Sequence, residues 1–272
     1  MSKGKIAILV VSHNYPELTD SLCEAIKERT KGVDYDLHVI ETGSDKAKCS
    51  KHMTLWVNEG VRMTRGFNLL KVYADFTASC KGYKYDAYHL FVNDAKFIDD
   101  KDMTTILYEE MMQNPDCGQI NPYQENISAP HLRQNKVNDN GCRKESFAEI
   151  IAPMIRGDVW RKIPGLLDSR FFYGWGLDYD VPTQLHSNDY RLYVSDSVGV
   201  HHQAFTSYRE KEKTGEKMDT GQFVGVARHD MDKGLIGKYG NEWRRHIYDS
   251  IPEDVDRDAM YLWLHYNDGF NI

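Results

Sequence analysis

The run KIAILVV at residues 5 to 11 constrains the fold of this chain more than any other feature. After its lysine it is wholly apolar and rich in β-branched residues, which suits a strand buried on both faces, and such strands belong to parallel sheets covered by helices. A helix is expected next. Asn14 stands at its cap, Pro16 falls in its first turn, and Leu18, Leu22, Ala25 and Ile26 recur at helical spacing as far as Gly32. The alternation then repeats. DLHVIET reads as a strand ending near Glu41 and closed by the turn GSDK, and residues 65 to 79 read as a helix carrying Leu69, Leu70, Tyr73, Ala74 and Phe76. AYHLFV is a strand ending at Asn93, residues 103 to 112 a helix, and GQINP a further strand. This order predicts an α/β fold with a mostly parallel sheet flanked by helices.

A sheet of that kind needs a large core, which 272 residues with 41% hydrophobic side chains supply. No apolar run is long enough for a membrane span. The N-terminal run ends in Ser-His-Asn without a small-residue cleavage site, so it reads as a first strand rather than a signal peptide. Five scattered cysteines without a Cys-x-x-Cys pair suggest neither a disulfide framework nor a zinc knuckle. A reducing cytoplasm is the expected location, where the sequon at Asn126 has no consequence. A net charge of -7 gives no general attraction to nucleic acid or acidic lipid.

Open α/β sheets bind ligands at the C-terminal ends of their strands. Here those ends carry Ser12, His13 and Asn14, then Glu41, then Asn93 and Asp94. The polar segment from Glu125 to Ser146 is expected to be a long surface loop, with Arg133, Lys136, Arg143 and Lys144 on it. FFYGWGLDYD, residues 171 to 180, sets Asp178 and Asp180 beside five aromatic rings and Leu177, an expensive place for an unpaired charge. Asp180, just before Val181 and Pro182, suits a helix cap. His201 and His202 follow the strand-like SVGV, and neighbours on a strand point to opposite faces, so at most one of them faces a site. Residues 209 to 272 begin as a charged stretch and read as a helical C-terminal extension.

Four motifs in order, VVSHN, VIETGSD, VNDAK and FFYGWGLDYD followed by VGVHHQAFTSY, resemble the GT-A fold glycosyltransferases of the inverting family 2 group over residues 5 to 208. The resemblance implies a GT-A (Rossmann-like) domain at 1–208, with a nucleotide-sugar-binding half at 1–121 and an acceptor half at 122–208. It implies that Ser12, His13 and Asn14 form the lip of the nucleotide site and that Glu41 meets the base or ribose. Arg62, in RMTRGFN, resembles an arginine that approaches the nucleotide; Arg65 is better explained as a solvated residue at a helix start. Asp94, beside Asn93, takes the place of the metal-binding acid for Mn²⁺ or Mg²⁺, and Asp178 that of the catalytic base. His201 or His202 resembles a late histidine that completes the metal site or touches the diphosphate. The motif NDA departs from the family, with Ala95 where many members have a second acid.

Sugar transfer from a nucleotide diphosphate, here a uridine-linked donor, needs charge dispersal on the departing diphosphate and a base for the attacking hydroxyl. Trp175 and Tyr173 would give flat apolar surface to an acceptor, with Asp180 nearby. The acceptor is a saccharide or small molecule, or a hydroxymethylated DNA base as in bacteriophage modification enzymes; the basic residues of the long loop favour DNA and the overall acidity opposes it. A catalytically inactive nucleotide-sugar-binding module is the alternative that NDA permits. A nucleotidyltransferase would show a Gly-rich phosphate loop after the first strand, and VVSHNYPEL has none.

Overall fold

Strand β1, Lys5–Ser12, divides the core in two. Ile6, Ile8 and Val10 enter one apolar cluster while Ala7 and Leu9 enter the other, all fully buried, as the two-residue period of a strand covered on both faces requires. In this computed structural model, which describes residues 4–125, 132, 134–202, 220–258 and 260, β1 pairs in parallel with β2 (Asp34–Thr42) and, on its other edge, with β4 (Ala87–Val92). A short strand β3, Leu55–Val57, extends the parallel half beyond β2, with Glu41 opposite Trp56. The registers bring Ser12 beside Glu41 and Val11 beside Val92, so three strand tips meet at one edge.

The other half of the sheet is mixed. β5 (Ala95–Phe97), β6 (Cys117–Gln124), β7 (Cys142–Glu145), β8 (Met154–Arg156) and β9 (Arg191–His202) complete the spatial order β3-β2-β1-β4-β8-β6-β9-β5, with β7 also paired to β9. β9 is the hinge of this half: it runs parallel to β6 and antiparallel to both β5 and β7. The segment expected as a long loop therefore contains a strand, since Cys142 to Glu145 pair with Ser195 to Leu192. Strands of three or four residues are too short to show a period, which is why β3, β5, β7 and β8 are not readable from the sequence.

Helices α1 (Pro16–Arg29), α2 (Arg62–Cys80), α3 (Met103–Gln113), α4 (Gly157–Lys162), α5 (Leu177–His186), α6 (Thr220–Tyr239) and α7 (Trp243–Ser250) cover the sheet. Pro16 opens α1 as expected, but Asn14 does not cap it: Tyr15 holds that position without a side-chain bond, and Asn14 has φ 55. Asp102 caps α3 by accepting from the Thr105 N–H at 3.0 Å, a bond of the kind that contributes about 1 kcal/mol. Met231, Leu235, Trp243 and Ile247 of α6 and α7 share one apolar cluster with Leu9, Phe67, Trp160 and Leu177, so the C-terminal helices close the same core as the sheet. No helix among the described residues is long and apolar enough to cross a membrane.

Candidate active site

The sheet edge where β1, β2 and β4 end is built from short polar side chains that bind one another. Ser12 Oγ lies 2.7 Å from Thr19 Oγ1, and Asn93 Nδ2 donates to the same Thr19 oxygen at 3.4 Å. His13 Nδ1 is 2.6 Å from the carbonyl of Thr42. Asn14, in its left-handed conformation, receives Asp45 N–H on Oδ1 at 3.0 Å and gives its own N–H to Ser44 Oγ at 3.0 Å. Glu41 is fully buried and both its oxygens are engaged, by Ser44 Oγ at 2.6 Å and Ser50 N–H at 2.9 Å. Its carboxylate thus shapes the turn that forms the lip. That turn needs glycine: Gly43 has φ 66, and a Cβ there would lie 2.8 Å from the backbone nitrogen of Gly60. Trp56, which the sequence reading passed over, donates its indole N–H to the Ser44 carbonyl at 2.9 Å, with Lys46 Nζ 4.8 Å above its ring.

A cluster of ionisable groups lies beyond this lip. The turn Asn93-Asp94 leads from β4 into β5, and β5 pairs Ala95 with His202. Asp94 Oδ2 consequently stands 3.6 Å from His202 Nε2, and Nδ1 on the other side of that ring stands 3.7 Å from Glu149 Oε2. His201 points the other way, half exposed, 3.6 Å from Glu125. Burial alone would push the His202 imidazole down, but Asp94 and Glu149 more than offset this and raise it to about 9. Next to Glu149, the backbone N–H of Ile150 donates to Asp178 Oδ1 at 2.9 Å. Burial first, and the Glu149 charge second, push the Asp178 carboxyl up to about 8. Sequence reasoning missed Glu149, which sits in the aperiodic SFAEI and gains its meaning only from β9 and α5.

The aromatic segment before Asp178 is held by α2 and α6. Arg62, with φ 60, lies 5.6 Å from the centre of the Tyr173 ring, and Arg65 lies 5.0 Å from that of Phe172. Phe172 donates its N–H to Asp230 Oδ2 at 2.9 Å, while Tyr173 meets Phe223 edge-on at 5.2 Å. Trp175 packs partly buried against the larger cluster. Gly176 starts α5 at φ 94, where a Cβ would press on the Phe171 ring at 2.8 Å. The helix therefore begins at Leu177, before the expected start at Val181, and Asp180 is not its cap. Asp180 is fully buried and faces α6, accepting from Tyr239 OH at 2.6 Å and pairing with Lys238 Nζ at 2.7 Å. Its carboxylate is committed to these contacts with α6.

The basic residues expected to face DNA are committed too. Arg143 pairs with Glu145 and the buried Asp196, and Lys144 with Asp116 at 2.9 Å and Asp254 at 2.5 Å. Lys136 lies over Tyr123 at 5.7 Å, and Arg133 and Asn126 fall outside the described residues.

No family model and no curated protein matches this chain. Solved structures do. GalNAc-T7 with UDP, GalNAc and Mn²⁺ superposes with a TM-score of 0.56 at 7% identity over 90% of this chain and 58% of that one. The mannosyltransferase PcManGT of Pyrobaculum calidifontis, with GDP-Man and Mn²⁺, superposes with a TM-score of 0.52 at 9% identity over 92% of this chain and 74% of that one. The fold is that of the GT-A glycosyltransferases. This chain spans little more than half the length of GalNAc-T7.

For a divalent cation the donor chemistry fits. Asp94 offers a hard oxygen and His202 an imidazole nitrogen, and such cations use one or two carboxylates together with phosphate oxygens. Among the described residues no third His, Cys, Asp or Glu joins them as a preformed cage. Ala95 is buried at the start of β5 and pairs with His202, so its side chain lies on the same face of the sheet as that ring.

Proposed function

We propose that the chain is an inverting glycosyltransferase that moves a sugar from a nucleotide diphosphate, taken to be uridine-linked, to an acceptor hydroxyl. The observation that carries this reading is the convergence of Asp178 on the Asp94–His202 pair through Glu149-Ile150, beside the strand tips of a GT-A fold. Asp178, held on the first turn of α5, would take the proton of the acceptor hydroxyl as its oxygen bonds to the anomeric carbon. The bond from that carbon to the diphosphate breaks on the opposite face, which inverts the centre. An elevated pKa makes the carboxylate the better proton acceptor once ionised. Ser12, His13, Asn14 and Arg62 would surround the nucleotide, with the buried Glu41 holding the turn that forms the lip. Asp94 and His202 would hold a Mn²⁺ or Mg²⁺ ion, which supplies neutralising charge to the leaving diphosphate. Mn²⁺ accompanies the nucleotides in both solved relatives.

A saccharide or other small hydroxyl compound fits the acceptor side better than DNA, because Arg143 and Lys144 are already paired with acids. Tyr173 and Trp175 give it apolar surface. One observation favours a binding module instead, namely that no third His, Cys, Asp or Glu among the described residues joins Asp94 and His202. The deciding experiment incubates the protein with Mn²⁺ and the common UDP- and GDP-sugars and follows release of nucleoside diphosphate. Binding of a donor, seen as thermal stabilisation, with no release under any acceptor or hydrolysis condition, would leave the binding module as the function. Transfer to a saccharide at a rate insensitive to salt supports the small acceptor, whereas salt-suppressed transfer to duplex DNA would reverse that choice.

A further inference from the structure

We propose that Glu149 is a positioning residue: its carboxylate fixes the His202 ring with Nε2 turned toward Asp94, so that the imidazole presents a lone pair to a divalent cation. The inference rests on the reading of Asp94 and His202 as cation ligands. His202 Nδ1 is buried and makes no hydrogen bond among the described residues, and the group it faces is Glu149 Oε2 at 3.7 Å. Glu149 is in turn clamped on every side. Gln124 Nε2 donates to its Oε2 at 2.9 Å, Gln134 Oε1 accepts its backbone N–H at 2.7 Å, and Asn121 Nδ2 donates to its carbonyl at 2.7 Å. These three amide side chains are fully buried, and buried amides are retained where a defined geometry needs them, since each costs free energy unless bonded.

The clamp has a chemical consequence. An imidazole whose Nδ1–H faces a carboxylate keeps its proton on that nitrogen, which leaves Nε2 free for a cation and makes it more basic. To hold a cation Nε2 would have to carry no proton, and the Nδ1 proton would remain directed at Glu149. The next residue, Ile150, hands its N–H to Asp178. One dipeptide thereby orients both ends of the site, the cation's histidine and the proposed base.

Glu149→Gln tests this with little change of shape. The amide oxygen can keep the position that both Gln124 Nε2 and His202 Nδ1 face, but the negative charge that holds the ring proton on Nδ1 is gone. Mn²⁺ binding is read by the EPR signal of the free ion, without nucleotide, for the parent and the variant, alongside thermal unfolding. The expected result is binding weaker by roughly 10- to 100-fold in a variant that still unfolds cooperatively. Equal Mn²⁺ affinity in the two proteins overturns the role of Glu149 and leaves the ligand reading standing. A parent protein that binds no Mn²⁺ overturns the ligand reading and this inference with it. Should Glu149→Gln not fold, Gln124→Met loosens the carboxylate while keeping its charge: weaker Mn²⁺ binding supports the inference, and unchanged binding overturns it.

Discussion

Ile150 and Asp178 are joined by a 2.9 Å hydrogen bond from backbone N–H to Oδ1, which ties the start of α5 to the segment carrying Glu149. This bond favours the charged carboxylate, whereas burial and the neighbouring Glu149 charge favour the neutral acid and win. The result is a carboxyl fixed in direction yet with appetite for a proton, the two properties a general base needs.

Asp178→Asn separates those properties. The amide oxygen still accepts the Ile150 N–H, so orientation and donor binding should survive, while proton uptake is lost. Turnover should fall by roughly 10²- to 10⁴-fold with the donor dissociation constant unchanged within about twofold. Isothermal titration with a UDP-sugar and a coupled assay for nucleotide release check both halves. A variant that transfers sugar at the parental rate removes Asp178 from the mechanism.

The two adjacent histidines should behave differently. His202 stands between Asp94 and Glu149, whereas His201 is 38% exposed and faces Glu125. His202→Ala and Asp94→Ala should each abolish most of the extra thermal stabilisation that Mn²⁺ gives to donor binding, and His201→Ala should leave it intact. Loss of the Mn²⁺ effect in His201→Ala alone would show that the wrong face of β9 has been assigned to the cation.

What the sequence disclosed follows physical scale. An apolar run such as IAILVV announces a buried strand because its residues meet a helix layer on either face of the sheet. Asp94 and His202 could be nominated separately, but the contact between them depends on β5, three residues long, pairing with the end of β9. Glu149 carries no local signal at all; its partners come from β6, β9 and residue 134. Asp180 misleads for a similar reason. Its position before Val-Pro resembles a cap, yet the left-handed Gly176 starts the helix earlier and turns that carboxylate toward Lys238, a partner far along the chain.

Two buried histidines should make the fold acid-sensitive. Burial holds His89 and His186 down at about 3, against about 6.5 in an unfolded chain, with Arg191 adding to the effect on His186. Between those values the unfolded state binds more protons, so the stability each contributes is complete above pH 6.5 and is lost as pH falls toward 3. The raised Asp178 acts with the opposite sign between about 4 and 8, so a comparison of slopes is the clean measurement. In urea unfolding between pH 6 and 4.5, His186→Leu should flatten the pH dependence by up to about 1.4 kcal/mol per pH unit relative to the parent. Parallel curves for the two proteins would mean that His186 is already charged in the native state.

The pairing of Asp180 with Lys238 makes α6 a structural support for the helix that bears Asp178. Asp180 is fully buried and Lys238 is 18% exposed, so the two substitutions are not equivalent. Lys238→Met strands a buried carboxylate that, among the described residues, keeps its bonds to Tyr239 and Gln184 but no cation at bonding distance, and should destabilise by about 3 to 5 kcal/mol. Asp180→Asn should cost less, because the freed ammonium keeps Asp168 at 3.6 Å and some contact with water. The double variant should recover part of the Lys238→Met loss, with a coupling of about 1 to 3 kcal/mol in a double-mutant cycle read by urea denaturation. Asp178 lies on the same first turn as Asp180, so Lys238→Met should also lower turnover below what its residual fold predicts. Strict additivity of the two substitutions would mean that α6 and α5 meet through their apolar faces alone.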